Sequence, residues 1–403
     1  MKTTRRQFLQ HTAAAGMAAT TSPAWFVLSR RDRVKGAPTL VVIYLRGGAD
    51  MLNMVVPHRD SRYYAVRPTI GIRKEDGLID LDGTFGLHPG LAALVPFFKN
   101  GSMTPVLNVG SHHPTRSHFD AQDFMERGAP GLRTVHTGWL NRYLQATRGK
   151  DETSAFRAVG LQGLLPRSLR GEFPVLAVPN NADRRRGEKT LDMFDDFYAE
   201  SPESSEVVDS GRNTIDALRK FQEIVGTRSG RSRSRSNGAS SLARGLQSIA
   251  KVINADAGLE IAGIDYNGWD HHANQGGASG TQHDMMETLA KGLATFAADI
   301  GDRMDHTMVL TMTEFGRTVR ENGNNGTDHG HGGGMFILGG GVEGGKVAGR
   351  WSGLDDETLY QGRDLPVTTD FRDVMAGSLK HLFDFKAPGD FFPGHAPTRT
   401  GIF

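Results

Sequence analysis

The stretch PTLVVIYLRGGAD, residues 38–50, decides the fold class that the sequence predicts. Its apolar, largely β-branched run is followed by Gly47, Gly48 and then Asp50. This is the pattern of a buried first strand in a parallel α/β sheet, ending in a tight glycine turn. Ligands of such sheets bind beyond the carboxyl ends of the strands. The turn after this strand is therefore a candidate part of a functional site.

Comparable apolar runs recur along the chain and alternate with helical patterns. Further strands are predicted over residues 104–111, 173–178, 259–265, 307–316 and 334–342. Helices are predicted over residues 117–128, 283–304 and 368–385. Strands that alternate with helices predict an α/β fold with a mainly parallel sheet.

Polar residues gather where the predicted strands end. Six of them directly follow strands or lie in the next turn: Asp50, Ser117, Asp265, Asp270, Glu314 and Asp328. The carboxyl ends of parallel strands meet at one edge of a sheet. We therefore expect these side chains to lie close together at that edge.

Two short segments combine carboxylates and imidazoles among glycines. Asp270 and His272 lie in DYNGWDHHANQGG (265–277), and Asp328, His329 and His331 lie in GTDHGHGGG (326–334). The chain has no cysteine, so a metal ion would need nitrogen and oxygen ligands. Neutral imidazoles and carboxylates at such spacings suit Zn²⁺ or another divalent ion. The alternative is a pair of solvated, histidine-rich loops; the two segments together favour a metal site.

A third polar cluster, SHHPTRSHFDAQD (111–123), surrounds the start of a predicted helix at Ser117. Serine is a favoured N-cap, whose hydroxyl accepts a backbone N–H. The positive end of the helix dipole and a nearby cation would instead make Ser117 a nucleophile or a metal ligand. Thr115 is the second candidate for that role. Arg116 and Arg317 are predicted to bind the oxygens of an anionic substrate, the alternative being ordinary surface arginines.

Residues 1–36 are predicted to be an export leader and spacer. Thr4–Leu9 has the paired arginines of a twin-arginine signal, and an alanine-rich stretch leads to a small-residue cleavage site at Ser22–Ala24. The apolar stretch is too short to span a membrane. We expect a periplasmic or secreted protein that meets the twin-arginine translocase during export and has no stable membrane span.

Residues 37–403 are predicted to form one domain, with a flexible arginine- and serine-rich insertion near residues 227–238. A nucleic-acid role for these arginines is the alternative. No aromatic residues interleave with them, and the net charge of the chain is only +2. Both observations disfavour nucleic-acid binding.

Several motifs, in order, resemble the family catalogued as domain of unknown function 1501. After the twin-arginine leader they are YLRGGAD, HPTRSHFDAQDFME, GWDHHANQ, TEFGRT and GTDHGHGG. That family is similar to the clan of alkaline phosphatases and sulfatases. The resemblance implies a three-layer α/β/α sandwich, alkaline-phosphatase-like. It also implies one or two divalent metal ions around a nucleophile at a helix start.

The resemblance assigns roles to individual residues. Asp50 matches the first aspartate of the clan, and Ser117 matches the nucleophile. In the segment DYNGWDHHAN, His272 matches the imidazole ligand, with Asp265 or Asp270 as the carboxylate. These assignments place the predicted metal site and the predicted nucleophile together.

The last motif has two interpretations under this resemblance. By its letters, Asp328-His329-Gly330 matches the clan's Asp-His-Gly. By topology that motif belongs at Glu314-Phe315-Gly316, and the later turn supplies a single histidine. In the second case phenylalanine replaces a histidine ligand. One metal site is then weakened, lost, or rebuilt from Asp328 and His331.

These observations predict an exported, metal-dependent hydrolase acting on a small anionic ester, phosphate or sulfate. The expected cofactor is one or two divalent ions, Zn²⁺ first and Mn²⁺ or Ca²⁺ as alternatives. The predicted metal ligands are Asp50, Asp265, Asp270, His272, Glu314, Asp328, His329 and His331. The predicted catalytic residues are Ser117, Arg317 and Arg116. The alternative function is a non-catalytic exported binding protein with a degenerate fold of this clan.

Overall fold

The computed structural model describes residues 37–149, 156–162, 164–178, 192, 206–226 and 238–403. The predicted leader and all but the last residue of the segment 227–238 lie outside these residues. The described strands are β1 Thr39–Arg46, β2 Val55–Val56, β3 Ile79–Asp80, β4 Gly86–Leu87, β5 Met103–Gly110, β6 Ala158–Gly160, β7 Leu176–Ala177, β8 Ile261–Asn267, β9 Thr307–Met312, β10 Gly333–Gly339 and β11 Thr369–Asp370. The described α-helices are α1 Met51–Met54, α2 Ser61–Val66, α3 Val95–Lys99, α4 His118–Arg127, α5 Trp139–Ala146, α6 Glu206–Val225, α7 Gly238–Asn254, α8 Thr281–Ile300 and α9 Phe371–Phe383.

The main sheet has eight strands in the order β11-β5-β10-β9-β1-β8-β6-β7. The central strand β1 is parallel to both of its neighbours, β8 and β9. Strand β10 is antiparallel to β5 and to β9. The sheet is therefore mainly parallel, as the sequence predicts, with one reversed strand inside it. Strands β2, β4 and β3 form a small separate antiparallel sheet.

Side chains of β1 alternate between the two faces of the sheet, as the two-residue period of a strand requires. Val41 and Ile43 belong to a core that α7 and α8 cover. Leu40 and Val42 belong to a second core that α5 and α9 cover. All four of these side chains are fully buried, which explains the continuous apolar run of the sequence. The fold is a three-layer α/β/α sandwich.

The reversed strand β10 determines where the functional segments meet. Strands β1, β8 and β9 end at one edge of the sheet. Because β10 runs in the opposite direction, its first residue lies at that same edge. The segment GTDHGHGGG leads into β10 and therefore lies at the carboxyl ends of the parallel strands.

Two predicted strands are shorter than expected. The segment 173–178 contributes only Leu176–Ala177, an edge strand that pairs with β6 alone. The segment 307–316 is a strand only as far as Met312, and the residues that follow form a bend.

Among the described residues, no helix combines the length and the apolar character needed to cross a membrane.

Candidate metal centre

Two loops and one helix start form the candidate metal centre. The loop after β8 carries Asp270 and His272, the loop between β9 and β10 carries His329, and α4 begins with His118. The two loops are joined by backbone hydrogen bonds, such as the one from Thr327 to the carbonyl of His271 at 3.0 Å. The centre is therefore built on backbone that is fixed at several points.

The glycines of this region allow the loops to approach each other closely. A Cβ atom on Gly326 would lie 2.5 Å from the backbone of His272. A Cβ atom on Gly330 would lie 2.5 Å from the backbone of Arg317. Real side chains do not tolerate such distances. Glycine thus surrounds the imidazoles because the two loops must pack backbone against backbone.

Three imidazoles direct their Nε2 atoms at the carboxylate of Asp270. The distances are 3.4 Å from His118 to Oδ2, 3.0 Å from His272 to Oδ1 and 3.1 Å from His329 to Oδ1. Ligand atoms of His118, Asp270 and His329 all lie within 4.8 Å of one another. The Nε2 atoms of His272 and His329 are 2.9 Å apart. Three of these side chains thus share one small volume, and His272 adjoins it through its contacts with Asp270 and His329.

The other ring nitrogen of each histidine contacts an oxygen acceptor. Nδ1 of His118 contacts Glu314 at 2.7 Å, and Nδ1 of His272 contacts Asp328 at 3.0 Å. Nδ1 of His329 contacts the backbone carbonyl of Arg116 at 2.8 Å. We assign the proton to Nδ1 in each ring on this basis. The three Nε2 lone pairs then point inward, as ligating histidines present them.

A divalent cation fits this arrangement of lone pairs. The Nε2 atom of His118 is buried, and among the described residues no group forms a hydrogen bond with it. The close Nε2 atoms of His272 and His329 would repel each other if both carried only lone pairs, and a shared cation removes that repulsion. A donor set of three nitrogens and one carboxylate oxygen suits Zn²⁺.

A buried arginine holds the carboxylate of Asp270 in place. Arg317 donates to Asp270 Oδ1 at 2.6 Å, and also to the carbonyls of Gly48 at 2.7 Å and Thr327 at 2.9 Å. Partial burial opposes ionisation of Asp270, but the hydrogen bond and the charge of Arg317 lower its pKa to about 2. The carboxylate is therefore ionised at neutral pH. The side chain of Arg317 is fully buried behind this carboxylate, so it is not presented to a substrate.

Glu314 supports His118 from behind. It is buried and accepts hydrogen bonds from His118, from Gln122 at 2.8 Å and from the backbone of Gly47 at 2.9 Å. Burial alone would raise the pKa of Glu314, but these hydrogen bonds keep it below the usual value. The hydrogen bond to Glu314 is also the main reason why the pKa of His118 is raised. Glu314 thus contacts the centre through Nδ1 of His118 and does not belong to the converging ligand atoms. The next residue, Phe315, packs against the rings of His118 and His329.

Two predicted carboxylate ligands lie apart from the centre. Both oxygens of Asp50 accept from Arg67, at 2.6 and 3.1 Å, and one also accepts from Gln275 at 2.7 Å. Asp265 accepts from Arg46 at 2.8 Å. An arginine thus neutralises each of these carboxylates, and neither belongs to the group that converges on the imidazoles.

The predicted ligand His331 also lies outside the group. Its buried ring stacks on Tyr360, with 3.9 Å between ring centroids and 17° between the planes. Burial lowers the pKa of His331 to about 4. It is a neutral packing residue, and the centre is not rebuilt around Asp328 and His331.

Ser117 and Arg116 lie beside the centre. Ser117 occupies the N-cap position of α4, is exposed, and makes no side-chain capping hydrogen bond. The guanidinium of Arg116 is bound to buried Asp364 at 2.6 Å, and its backbone carbonyl orients His329. Arg116 therefore fixes the loop that carries Ser117, and its Nε and Nη2 donors are engaged by Asp364 and Gln361.

His118 is the candidate ligand that the sequence did not predict. It lies within the polar cluster 111–123, but the adjacent Ser117 explained the helix start without it. A helix-starting histidine that follows a buried strand was the available signal. Only the spatial approach of Glu314, 196 residues away in the sequence, shows that its Nδ1 is held and its Nε2 is free to coordinate.

One family model matches more than half of the chain. Residues 89–390 match the model of a family described as "Protein of unknown function (DUF1501)". No curated protein matches the chain in sequence. Solved structures similar to it include the zinc complex of the C-terminal periplasmic domain of EcEptC from Escherichia coli, with a TM-score of 0.35 and 12% identity over 75% of this chain and 73% of that one.

Two further solved structures are similar at the same level. A mutant of the alkaline phosphatase PafA has a TM-score of 0.36 and 12% identity over 70% of this chain; the match spans 64% of the phosphatase chain, less than two thirds. The phosphonate monoester hydrolase SpPMH from Silicibacter pomeroyi has a TM-score of 0.34 and 12% identity over 90% of this chain and 78% of that one. TM-scores and identities this low say nothing about the chemistry of the site in this chain.

Proposed function

The chain belongs to the DUF1501 family of proteins of unknown function, and from that premise we propose that it is an exported, metal-dependent hydrolase of an anionic ester. The ester is a phosphate or a sulfate. One observation carries this proposal: three Nε2 atoms and one ionised carboxylate converge at the carboxyl edge of the sheet, next to an exposed serine. Such an edge is where α/β sheets bind their ligands.

His118, Asp270, His272 and His329 would hold one divalent ion, with Zn²⁺ expected from the nitrogen-rich donor set. When bound, the ion would polarise an ester oxygen and lower the pKa of a nearby nucleophile. Glu314 and Asp328 orient His118 and His272 through their Nδ1 atoms. The carboxylate of Asp50 is neutralised by Arg67, so we expect one ion per chain rather than two.

Ser117 is the proposed nucleophile. It directly precedes His118, its side chain is exposed, and it begins a ten-residue helix whose N-terminus favours negative charge. Its oxygen would form the new bond to phosphorus or sulfur while the bond to the leaving oxygen breaks, and the serine proton would pass to the leaving alcohol. Water would then cleave the seryl ester, which releases phosphate or sulfate and restores the serine. Thr115 is less available, because its hydroxyl oxygen accepts from the backbone N–H of Ser117 at 3.2 Å.

The test compares zinc-loaded wild-type protein with Ser117→Ala on an aryl phosphate and an aryl sulfate. We expect turnover of at least one ester, and a decrease in kcat of roughly 10²- to 10⁴-fold in the variant. Full activity of Ser117→Ala would rule out the serine as nucleophile. Turnover that survives complete removal of metal would contradict the metal-dependent hydrolase itself.

The second candidate function is a non-catalytic, metal-bearing binding protein. The observation in its favour is that Arg317 and Arg116, the two arginines predicted to bind substrate, are already engaged by other groups. One bound zinc ion with no turnover of either ester would support this function over the hydrolase.

Export by the twin-arginine route completes the proposal. It is supported by the sequence of Thr4–Leu9 and by the alanine-rich stretch that follows. Replacement of both Arg5 and Arg6 by lysine should leave the protein in the cytoplasm, whereas the wild type reaches the periplasm or the medium. Fractionation of cells that express each form measures this, and equal export of both would exclude the twin-arginine translocase as partner.

A further inference from the structure

In the part of the chain that the structure describes, three arginines contact the residues of the metal centre, and they differ in how many donors remain available. Arg317 lies behind Asp270; its guanidinium is buried and bound by backbone carbonyls as well as by that carboxylate. Arg116 touches the centre only through its carbonyl, while its guanidinium binds Asp364 and Gln361. Arg363 is the third.

The guanidinium of Arg363 lies at the outer rim of the centre. Its Nη2 donates to the backbone carbonyl of His329 at 2.9 Å. Its Nε is 3.7 Å from Asp364, which is too far for a hydrogen bond. The pKa of Asp328 is lowered mainly by its hydrogen bond with His272, and the charge of Arg363 also contributes. The guanidinium therefore lies near both His329 and Asp328.

Most of the hydrogen-bonding capacity of Arg363 is unused. Its side chain is 42% exposed. Within the described ranges, the single hydrogen bond to His329 engages one of its five N–H donors. A guanidinium with one engaged N–H group keeps other donors in the same plane, and two of these can donate to two oxygens of a tetrahedral anion.

We propose that Arg363 binds the non-bridging oxygens of a tetrahedral oxyanion, phosphate or sulfate, at the metal centre. This inference rests on the proposed function, since it assigns the group that the substrate of that reaction must present. The anion would be held between the cation in the imidazole cluster and the free donors of Arg363. Arg317 and Arg116, which the sequence offered for this role, keep the carboxylate of Asp270 and the loop of Ser117 in place.

The experiment titrates inorganic phosphate into the zinc-loaded full-length protein by calorimetry. We expect Arg363→Ala to weaken phosphate binding by about tenfold or more, the scale of a charge-assisted hydrogen bond. Zinc content should stay unchanged, and Arg363→Lys should bind with intermediate affinity. The matched control is Arg320→Ala, which removes the same charge from an exposed position in the neighbouring segment and should bind like the wild type.

Several outcomes would overturn the inference. One is an Arg363→Ala protein that keeps its zinc and binds phosphate like the wild type. Another is loss of zinc in that variant, which would make Arg363 a support for His329 instead of an anion ligand. A wild-type protein that binds no phosphate would overturn it as well.

The inference and the proposed function can fail separately. Phosphate binding that depends on Arg363, without turnover of aryl phosphate or aryl sulfate, would refute the hydrolase and leave the anion site standing. Turnover with an unchanged kcat/KM in Arg363→Ala would refute the anion site and leave the hydrolase standing.

Discussion

Asp50 and Asp270 occupy comparable places in the fold but have opposite surroundings. Each follows a strand, β1 or β8, at the same edge of the sheet, and each binds a buried arginine. The side chain of Asp50 is only 2% exposed, and its other partner is an amide, Gln275. The side chain of Asp270 is 43% exposed and faces three imidazoles. The proposed metal site thus lies at the strand-end carboxylate that imidazoles surround, and the carboxylate enclosed by an arginine and an amide lies outside it.

The surroundings of Asp50 and of Asp270 also differ in their balance of charge. The buried pair of Asp50 and Arg67 is balanced one to one. At the candidate metal centre, the three carboxylates of Asp270, Glu314 and Asp328 contact imidazoles, and the buried guanidinium there is that of Arg317. Uncompensated negative charge in a partly buried site is costly, and a divalent cation offsets it.

The largest expected effect is loss of the metal from the Asp270 side. His329→Ala should reduce bound zinc from one equivalent to background, because it removes an Nε2 that lies near two other ligand atoms. Metal analysis of the purified, folded protein measures this. His112→Ala, at an exposed histidine before α4, is the matched control and should retain zinc. Equal zinc in both variants would end the assignment of the centre.

The Asp50 side should respond in stability and not in metal content. Asp50→Asn leaves Arg67 buried without its counter-charge, which costs about 3–5 kcal/mol in the free energy of unfolding. Urea denaturation measures the decrease, with exposed Asp302→Asn as the control. If Asp50→Asn instead lost its zinc and kept its stability, Asp50 would be a ligand and the comparison would be reversed.

Acid should also weaken the Asp50 side, through His88. Its ring is held between the backbone N–H of Gly90 and the carbonyl of Gly277, which is two residues after Gln275 in the chain, and burial lowers its pKa from 6.5 to about 4. Above pH 6.5 both states are neutral at this histidine. As the pH falls from 6.5 to 4, the unfolded chain takes up the proton and the native state does not. Stability is therefore lost over that range, by about 3 kcal/mol.

Unfolding measured at several pH values tests the role of His88. The variant His88→Asn should lack this part of the pH dependence, whereas exposed His306→Asn should keep it. A wild-type and a His88→Asn protein with parallel stability curves between pH 7 and pH 4 would show that His88 does not carry the effect.

The smallest expected effect concerns the outer partner of His118. Glu314→Gln keeps the shape of the side chain but removes the charge that orients the imidazole. Zinc affinity should fall by about 10- to 100-fold, as for other outer-shell partners of metal ligands. Competition with a chromogenic chelator measures it, with partly exposed Glu287→Gln on α8 as the control. An unchanged dissociation constant would mean that Glu314 serves only the packing of the loop.

The sequence was sufficient for the architecture and for half of the centre. Continuous apolar runs predict buried parallel strands, and short spacings bring His272 to Asp270 and His329 to Asp328 along the chain itself. Spacing cannot predict which cation meets a carboxylate in three dimensions. Arg67 reaches Asp50 from 17 residues away, and Glu314 reaches His118 from 196 residues away. The direction of β10 could not be predicted either, because an apolar run does not indicate whether the strand is parallel or antiparallel to its neighbours.

The reversed strand β10 has a consequence for the order of assembly. It lies between β5, which leads through its loop into His118, and the group β9-β1-β8, which carries Asp270 and His272. Until β10 inserts, these two halves of the sheet are not joined, and the loop that bears His329 is not anchored. The candidate ligands are thus brought together only in a chain in which β10 has paired with both β5 and β9. Tight zinc uptake would therefore mark the moment at which the last internal strand is in place.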